Sequence, residues 1–109
     1  MDFKMTERDE LLRKTIREYA EKEIPPHMDA MEETGEFPVE LLKSMGAMGI
    51  LGVITPNEYG GTGMGHLARI IVLEELGRVC PAIPMSLQVH HMCTYALTMW
   101  GNEEQKKKY

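Results

Sequence analysis

The feature that most constrains the fold is a long segment without charge. No Asp, Glu, Lys or Arg occurs from Val79 to Asn102, although 27% of the whole chain is charged. A segment of this length could cross a membrane, but two prolines, two histidines, a glutamine and two threonines interrupt it. We therefore predict a helix from about Pro84 to Trp100 that is apolar on nearly every face and ends at Gly101.

Amphipathic helices are predicted around this uncharged helix. Thr6 and Asp9 form a capping pattern at the start of the first helix, and Asn102 with Gln105 forms another near the end of the chain. Proline and glycine separate the remaining apolar stripes, and no pair of strands is evident. The predicted fold is all-α: an orthogonal or up-down bundle of about five to six helices with a buried uncharged central helix.

The charge balance excludes one class of partner. The chain has 12 Lys and Arg against 17 Asp and Glu, a net charge of −5. Nucleic-acid binding needs a clustered basic surface, so neither a nucleic-acid interface nor a helix-turn-helix regulator is expected. Cys80 and Cys93 occur without a secretory signal, which favours two free thiols in a reducing compartment.

Two motifs resemble ligand sites but lack the required spacing. Gly61, Gly63 and Gly65 precede a helix as a phosphate loop would, yet position 66 is histidine and no Lys-Ser or Lys-Thr follows. We expect a structural turn there. His90 and His91 point about 100° apart on a helix and cannot share one metal ion, so a core or interface histidine pair is expected and no metal site.

Gln88 is the residue of the uncharged helix that most suggests a ligand. A buried amide without partners costs about 1–3 kcal/mol, so it is either hydrogen-bonded in the core or faces a cavity. Met85, Val89 and Met92 lie within one turn on the same side. Together these residues could form the floor of an apolar pocket with one polar group.

Several segments in a fixed order resemble the N-terminal helical domain of the acyl-CoA dehydrogenase family, from about Thr6 to Tyr109. The six segments are Arg-Glu-Tyr-Ala-Glu-Lys-Glu-Ile-Pro at 17–25, Thr-Gly-Glu-Phe-Pro at 34–38, Gly-Ile-Leu-Gly at 49–52, Pro-Asn-Glu-Tyr-Gly-Gly-Thr-Gly-Met at 56–64, Glu-Glu-Leu at 74–76 and Gly-Asn-Glu-Glu-Gln-Lys-Lys-Lys-Tyr at 101–109. The resemblance implies that residues 1–109 are one domain of a longer enzyme. A middle β domain and a C-terminal helical domain would then be absent from this sequence, which agrees with a capped helix at Asn102 that has no end.

The resemblance also implies an activity. Family members are flavin-dependent oxidoreductases of fatty acid metabolism that convert acyl-CoA thioesters to the trans-2-enoyl form. A glutamate removes the α proton and the β hydride passes to FAD, then to electron-transfer flavoprotein. The catalytic base is expected beyond Tyr109, and FAD is expected to be held mainly by the missing domains. A homotetramer is expected, in the cytoplasm of a bacterium or archaeon or in the mitochondrial matrix.

By the same resemblance, the uncharged helix forms one wall of the acyl pocket. The residues carried over to substrate binding are Pro84, Met85, Gln88, Val89 and Met92. The isolated domain would then be inactive. The alternative is a free-standing helical module that binds a partner protein through its apolar helix and has no catalytic activity.

Overall fold

The computed structural model describes residues 4–109, and every regular element within them is helical. Two short 3₁₀ turns, Ile50–Gly52 and Asn57–Tyr59, lie between the third and fourth α-helices. The predicted all-α class and the number of helices are confirmed. The α-helices are α1 (Glu7–Glu23), α2 (Pro25–Thr34), α3 (Val39–Ala47), α4 (His66–Gly77), α5 (Ala82–Trp100) and α6 (Glu103–Lys108).

Side-chain caps fix the first and last helices. The Thr6 hydroxyl accepts from the Asp9 N–H at 3.1 Å, and the Asp9 carboxylate accepts from the Thr6 N–H at 3.0 Å. Asn102 and Gln105 repeat this reciprocal arrangement at 2.9 and 3.0 Å. Each pair satisfies N–H groups that have no partner within the helix. Both predicted capping boxes are confirmed.

The hydrophobic core joins α1, α3, α4 and the first half of α5. Its buried side chains follow helical spacing on each element, as expected for amphipathic helices around one centre. Burying a Leu, Ile or Met side chain contributes about 1.5–3 kcal/mol, so this cluster is the main source of stability. Its members are Ile16, Ala20, Ile24, Leu41, Met45, Ile50, Val72, Leu76, Cys80, Ile83 and Leu87.

A charged cluster, here called the α1–α4 seam, joins two helices beside that core. Glu75 on α4 is only 2% exposed, and its carboxylate lies 2.8 Å from Arg17 on α1 and 2.9 Å from Arg78. Arg13 approaches the same carboxylate at 3.5 Å. Hydrogen bonds from Arg17, more than those from Arg78, lower the pKa of Glu75 to about 2. The acid therefore stays charged and serves as a tie between α1 and α4.

Helices α4 and α5 pack as an antiparallel pair. The His66 and Tyr95 rings meet at 5.2 Å between centroids, while Gly77 lies beside Pro84 at the other end of the pair. Helix α5 begins two residues earlier than predicted, because proline is tolerated within the first turn. No helix in the described part of the chain combines the length and apolarity needed to span a bilayer.

Candidate functional site

Helix α5 buries only one of its faces. Ile83, Leu87 and His91 follow each other at intervals of four residues and are completely buried. The prediction of a buried central helix holds for this stripe alone. The opposite side of the helix, which sequence reasoning assigned to a ligand, is open.

The open side is a regular apolar stripe, here called the outer face, made of Met85, Val89, Met92, Ala96 and Met99. Met85, Val89 and Met92 are 66%, 54% and 59% exposed. The alternating spacing of four and three residues places all five on one line, over about 20 Å of helix. Large apolar side chains in such a line are the usual mark of a surface that another group covers.

The five residues predicted to bind substrate lie in the first part of this face or directly beside it. Met85, Val89 and Met92 are in it, whereas Pro84 and Gln88 beside it are half-buried. The structure thus brings all five together on two turns of one helix. Sequence reasoning omitted Ala96 and Met99, which continue the face with the same spacing.

The amide of Gln88 is the unusual polar group at this edge. Its Oε1 atom is buried and has no hydrogen-bond partner among residues 4–109. Since an unsatisfied buried acceptor costs about 1–3 kcal/mol, a donor from outside the described residues would stabilise it. The sequence left two alternatives for Gln88, a hydrogen bond in the core or a position facing a cavity. Its oxygen forms no hydrogen bond to the core of the described residues.

The two adjacent histidines attach α5 to the first 3₁₀ turn. Nε2 of His90 lies 3.1 Å from the Leu51 carbonyl, and Nε2 of His91 lies 2.9 Å from the Ile50 carbonyl. A carbonyl only accepts, so each Nε2 donates. Burial lowers the pKa of His91, which keeps its ring neutral. Of the expected core or interface pair, only His91 is a core histidine, whereas His90 is exposed and contacts the same turn from the surface.

The glycine-rich loop has no free backbone N–H groups for a phosphate group. Its N–H groups from Gly60 to Gly65 all donate to carbonyls of residues 52–57. A side chain at Gly61 would collide with the Thr55 carbonyl, so glycine is needed for this close approach. The loop is a structural turn, as predicted, and does not fit the pyrophosphate of a dinucleotide cofactor. No group of three possible metal ligands occurs within the described residues.

Comparison with known proteins agrees with this architecture. The family model for the acyl-CoA dehydrogenase N-terminal domain matches residues 6–109. The chain belongs to the acyl-CoA dehydrogenase family. A short-chain-specific acyl-CoA dehydrogenase of Clostridium acetobutylicum is 42% identical over 110 residues, which cover 100% of this chain and 29% of that enzyme.

Solved structures of family members have the same fold. A glutaryl-CoA dehydrogenase in complex with glutaryl-CoA superimposes with a TM-score of 0.91 at 35% identity, over all of this chain and 29% of that one. A chain in the electron-transferring flavoprotein study of Acidaminococcus fermentans also gives 0.91, at 34% identity and with the same coverage. This chain therefore spans less than a third of the relatives it matches. These relatives are named for different acyl groups and activities.

Proposed function

We propose that this chain forms one wall of the acyl-binding site in an FAD-dependent acyl-CoA dehydrogenase. The intact protein would oxidise acyl-CoA thioesters to the trans-2-enoyl form. Residues 1–109 would be its N-terminal domain, followed by a middle β domain and a C-terminal helical domain. The observation that carries this proposal is the outer face of α5, an exposed apolar stripe with an unsatisfied amide at its edge.

The outer face has the chemistry that an acyl chain requires. Met85, Val89 and Met92 would contact the methylene groups, and burial of each methylene contributes about 0.8 kcal/mol. Methionine is flexible and polarisable, so two of them can adapt to acyl groups of different shape. Pro84 would close one end of the wall. The Gln88 oxygen would accept a hydrogen bond from a donor on the substrate or on another domain.

The catalytic base and the flavin site are proposed to lie outside residues 1–109. Glu75 is the buried acid of the described residues, but its pKa is about 2 and two arginines hold its charge, so it is a poor proton acceptor. The glycine-rich loop has no free N–H groups for FAD phosphates. The part of the reaction assigned to this chain is to bind and orient the acyl group and exclude water from it.

The remaining assignments are proposed on the basis of family membership. Electron-transfer flavoprotein is the proposed acceptor, and the intact enzyme is proposed to be a homotetramer. It would act in the cytoplasm of a bacterium or archaeon, or in the mitochondrial matrix. Family membership also favours an enzyme over the free-standing interaction module.

Purification of the intact protein tests the activity. The preparation should be yellow, and its flavin absorbance should bleach when an acyl-CoA thioester of suitable chain length is added without an acceptor. A panel of straight, branched and dicarboxylic acyl-CoA thioesters should give unequal bleaching. A colourless protein that stays colourless when refolded with FAD would contradict the enzyme assignment.

A further inference from the structure

A second open region lies away from the outer face of α5. A groove of about 440 Å³ opens between α2, the turn after it and the first turns of α5. Its size is within the range of about 300–1,000 Å³ that is common for ligand sites. None of the five proposed acyl-binding residues lines it. Its apolar lining consists of Met28, Met31, Phe37, Cys80 and Ala82.

The floor of the groove is apolar and adaptable. Met28, Met31 and Phe37 are half-buried and pack against the core, so their inner sides are fixed while their outer sides line the open space. Helix α2, which provides the two methionines, has no fully buried residue. Methionine side chains can repack around inserted groups of different shape. The floor can therefore accept a large apolar side chain.

The rim of the groove is strongly acidic. Glu32 and Glu36 line it directly and are exposed. The sequence from residue 25 to residue 42 has five carboxylates and no Lys or Arg, unlike the mixed charges on α1. Within residues 4–109, none of these five carboxylates forms an ion pair, whereas Glu75 and Glu74 do. The negative charge at this rim is uncompensated.

We propose that this acidic groove docks a basic segment of a partner protein, one that presents a large apolar side chain flanked by Lys or Arg. Charge complementarity selects this occupant. Cations beside the anchor would meet the unpaired carboxylates of Glu32 and Glu36, while the anchor enters the space above Met28 and Met31. Rim charges of this kind mainly raise the association rate and discriminate against acidic partners.

The test measures peptide binding to the intact protein by fluorescence anisotropy. The probe is a short fluorescein-labelled peptide of alternating leucine and lysine. A second peptide replaces leucine with serine at unchanged charge, and a third replaces lysine with glutamate. We expect saturable binding of the first peptide only, weakened by salt, because the groove requires both the apolar anchor and the cations.

Paired charge variants locate the site. Glu32→Gln with Glu36→Gln should weaken binding of the leucine–lysine peptide about tenfold. Glu58→Gln with Glu104→Gln removes the same charge near the opposite end of α5 and should leave the affinity unchanged. Thermal unfolding of both double variants verifies that each remains folded.

Three results would overturn the proposal. Equal affinity of both double variants would mean that binding follows overall charge. Binding of the serine–lysine peptide as tightly as the leucine–lysine peptide would remove the apolar floor from the interaction. No binding of any peptide to the intact protein would mean that another part of the protein or a second copy covers the groove.

Discussion

The α1–α4 seam and the outer face of α5 both reverse the usual placement of residue types. In the seam, a carboxylate is 2% exposed, yet it contacts the guanidinium groups of Arg17 and Arg78 at 2.8 and 2.9 Å. On the outer face, four large apolar side chains are more than half exposed, and no described residue covers them. The buried carboxylate has its ion-pair partners within this chain. The exposed apolar surface has no covering group among the described residues. This difference supports a structural role for the seam and the ligand-binding role proposed for the outer face.

The largest effect on stability is expected from the buried stripe of α5, which consists of Ile83, Leu87 and His91. Leu87→Ala removes a fully buried side chain and should lower the free energy of unfolding by about 2–5 kcal/mol. Met85→Ala, on the outer face, is the matched control and should change it by less than about 0.5 kcal/mol. Urea unfolding of the chain measures both. Similar losses would mean that the outer face contributes to folding as the inner one does.

The next largest effect is expected in the seam. Glu75→Gln leaves Arg13, Arg17 and Arg78 without their shared carboxylate and should lower the free energy of unfolding by about 2–3 kcal/mol. Glu74→Gln alters an exposed neighbour and should cost less than about 1 kcal/mol. If the two variants are equally stable, the seam is not a structural tie.

The contribution of Glu75 should also depend on pH in a defined direction. Its pKa is lowered to about 2 in the folded chain from an ordinary value of 4.5. The folded state therefore binds fewer protons, and the stabilisation is present above pH 4.5 and lost as pH falls toward 2. The stability difference between the parent and Glu75→Gln should shrink over that interval in denaturant titrations. A constant difference would contradict the ion-pair explanation.

A smaller pH effect is expected from His91. Burial lowers its pKa below the ordinary value of 6.5, so the unfolded chain takes up a proton before the folded one does. The stability due to this group is present above pH 6.5 and decreases as pH falls below it. His91→Gln should flatten that part of the stability curve. An unchanged slope in the variant would show that another group is responsible.

The smallest effect on stability is expected from substitutions on the outer face, although they should clearly change the fluorescence of a bound hydrophobic dye. An exposed apolar stripe should bind a hydrophobic dye or cause the isolated chain to self-associate. Met85→Lys with Met92→Lys should abolish both and leave the unfolding midpoint nearly unchanged. A parent chain that is strictly monomeric and binds no dye would mean that the face is already covered.

Local signals allowed much of this fold to be predicted. The capping boxes at Thr6 and Asn102 depend on residues three positions apart, so they are visible in the sequence. The outer face was predicted in part from helical spacing around Gln88. Its extension to Met99 has the same spacing, but no lone amide such as Gln88 marks that part of the helix as a ligand surface.

The partners of the buried polar side chains Glu75 and His91 could not be predicted, because they come from distant parts of the chain. Arg17 and Glu75 are 58 residues apart in sequence, and His91 is 41 residues from its acceptor Ile50. Nothing in the local pattern of α4 distinguishes buried Glu75 from exposed Glu74. The acidic groove also escaped prediction, since it exists only where α2 and α5 approach each other.

The most direct test of the central claim is the acyl preference of a Gln88→Leu variant of the intact protein. If the outer face lines the acyl site, kcat/KM should change unequally across acyl-CoA thioesters of increasing length, while flavin content stays at the parent level. Thr94→Val, a half-buried position farther along α5, provides the control and should keep the parent profile. Identical profiles for Gln88→Leu and the parent across all chain lengths would remove Gln88 from the acyl site.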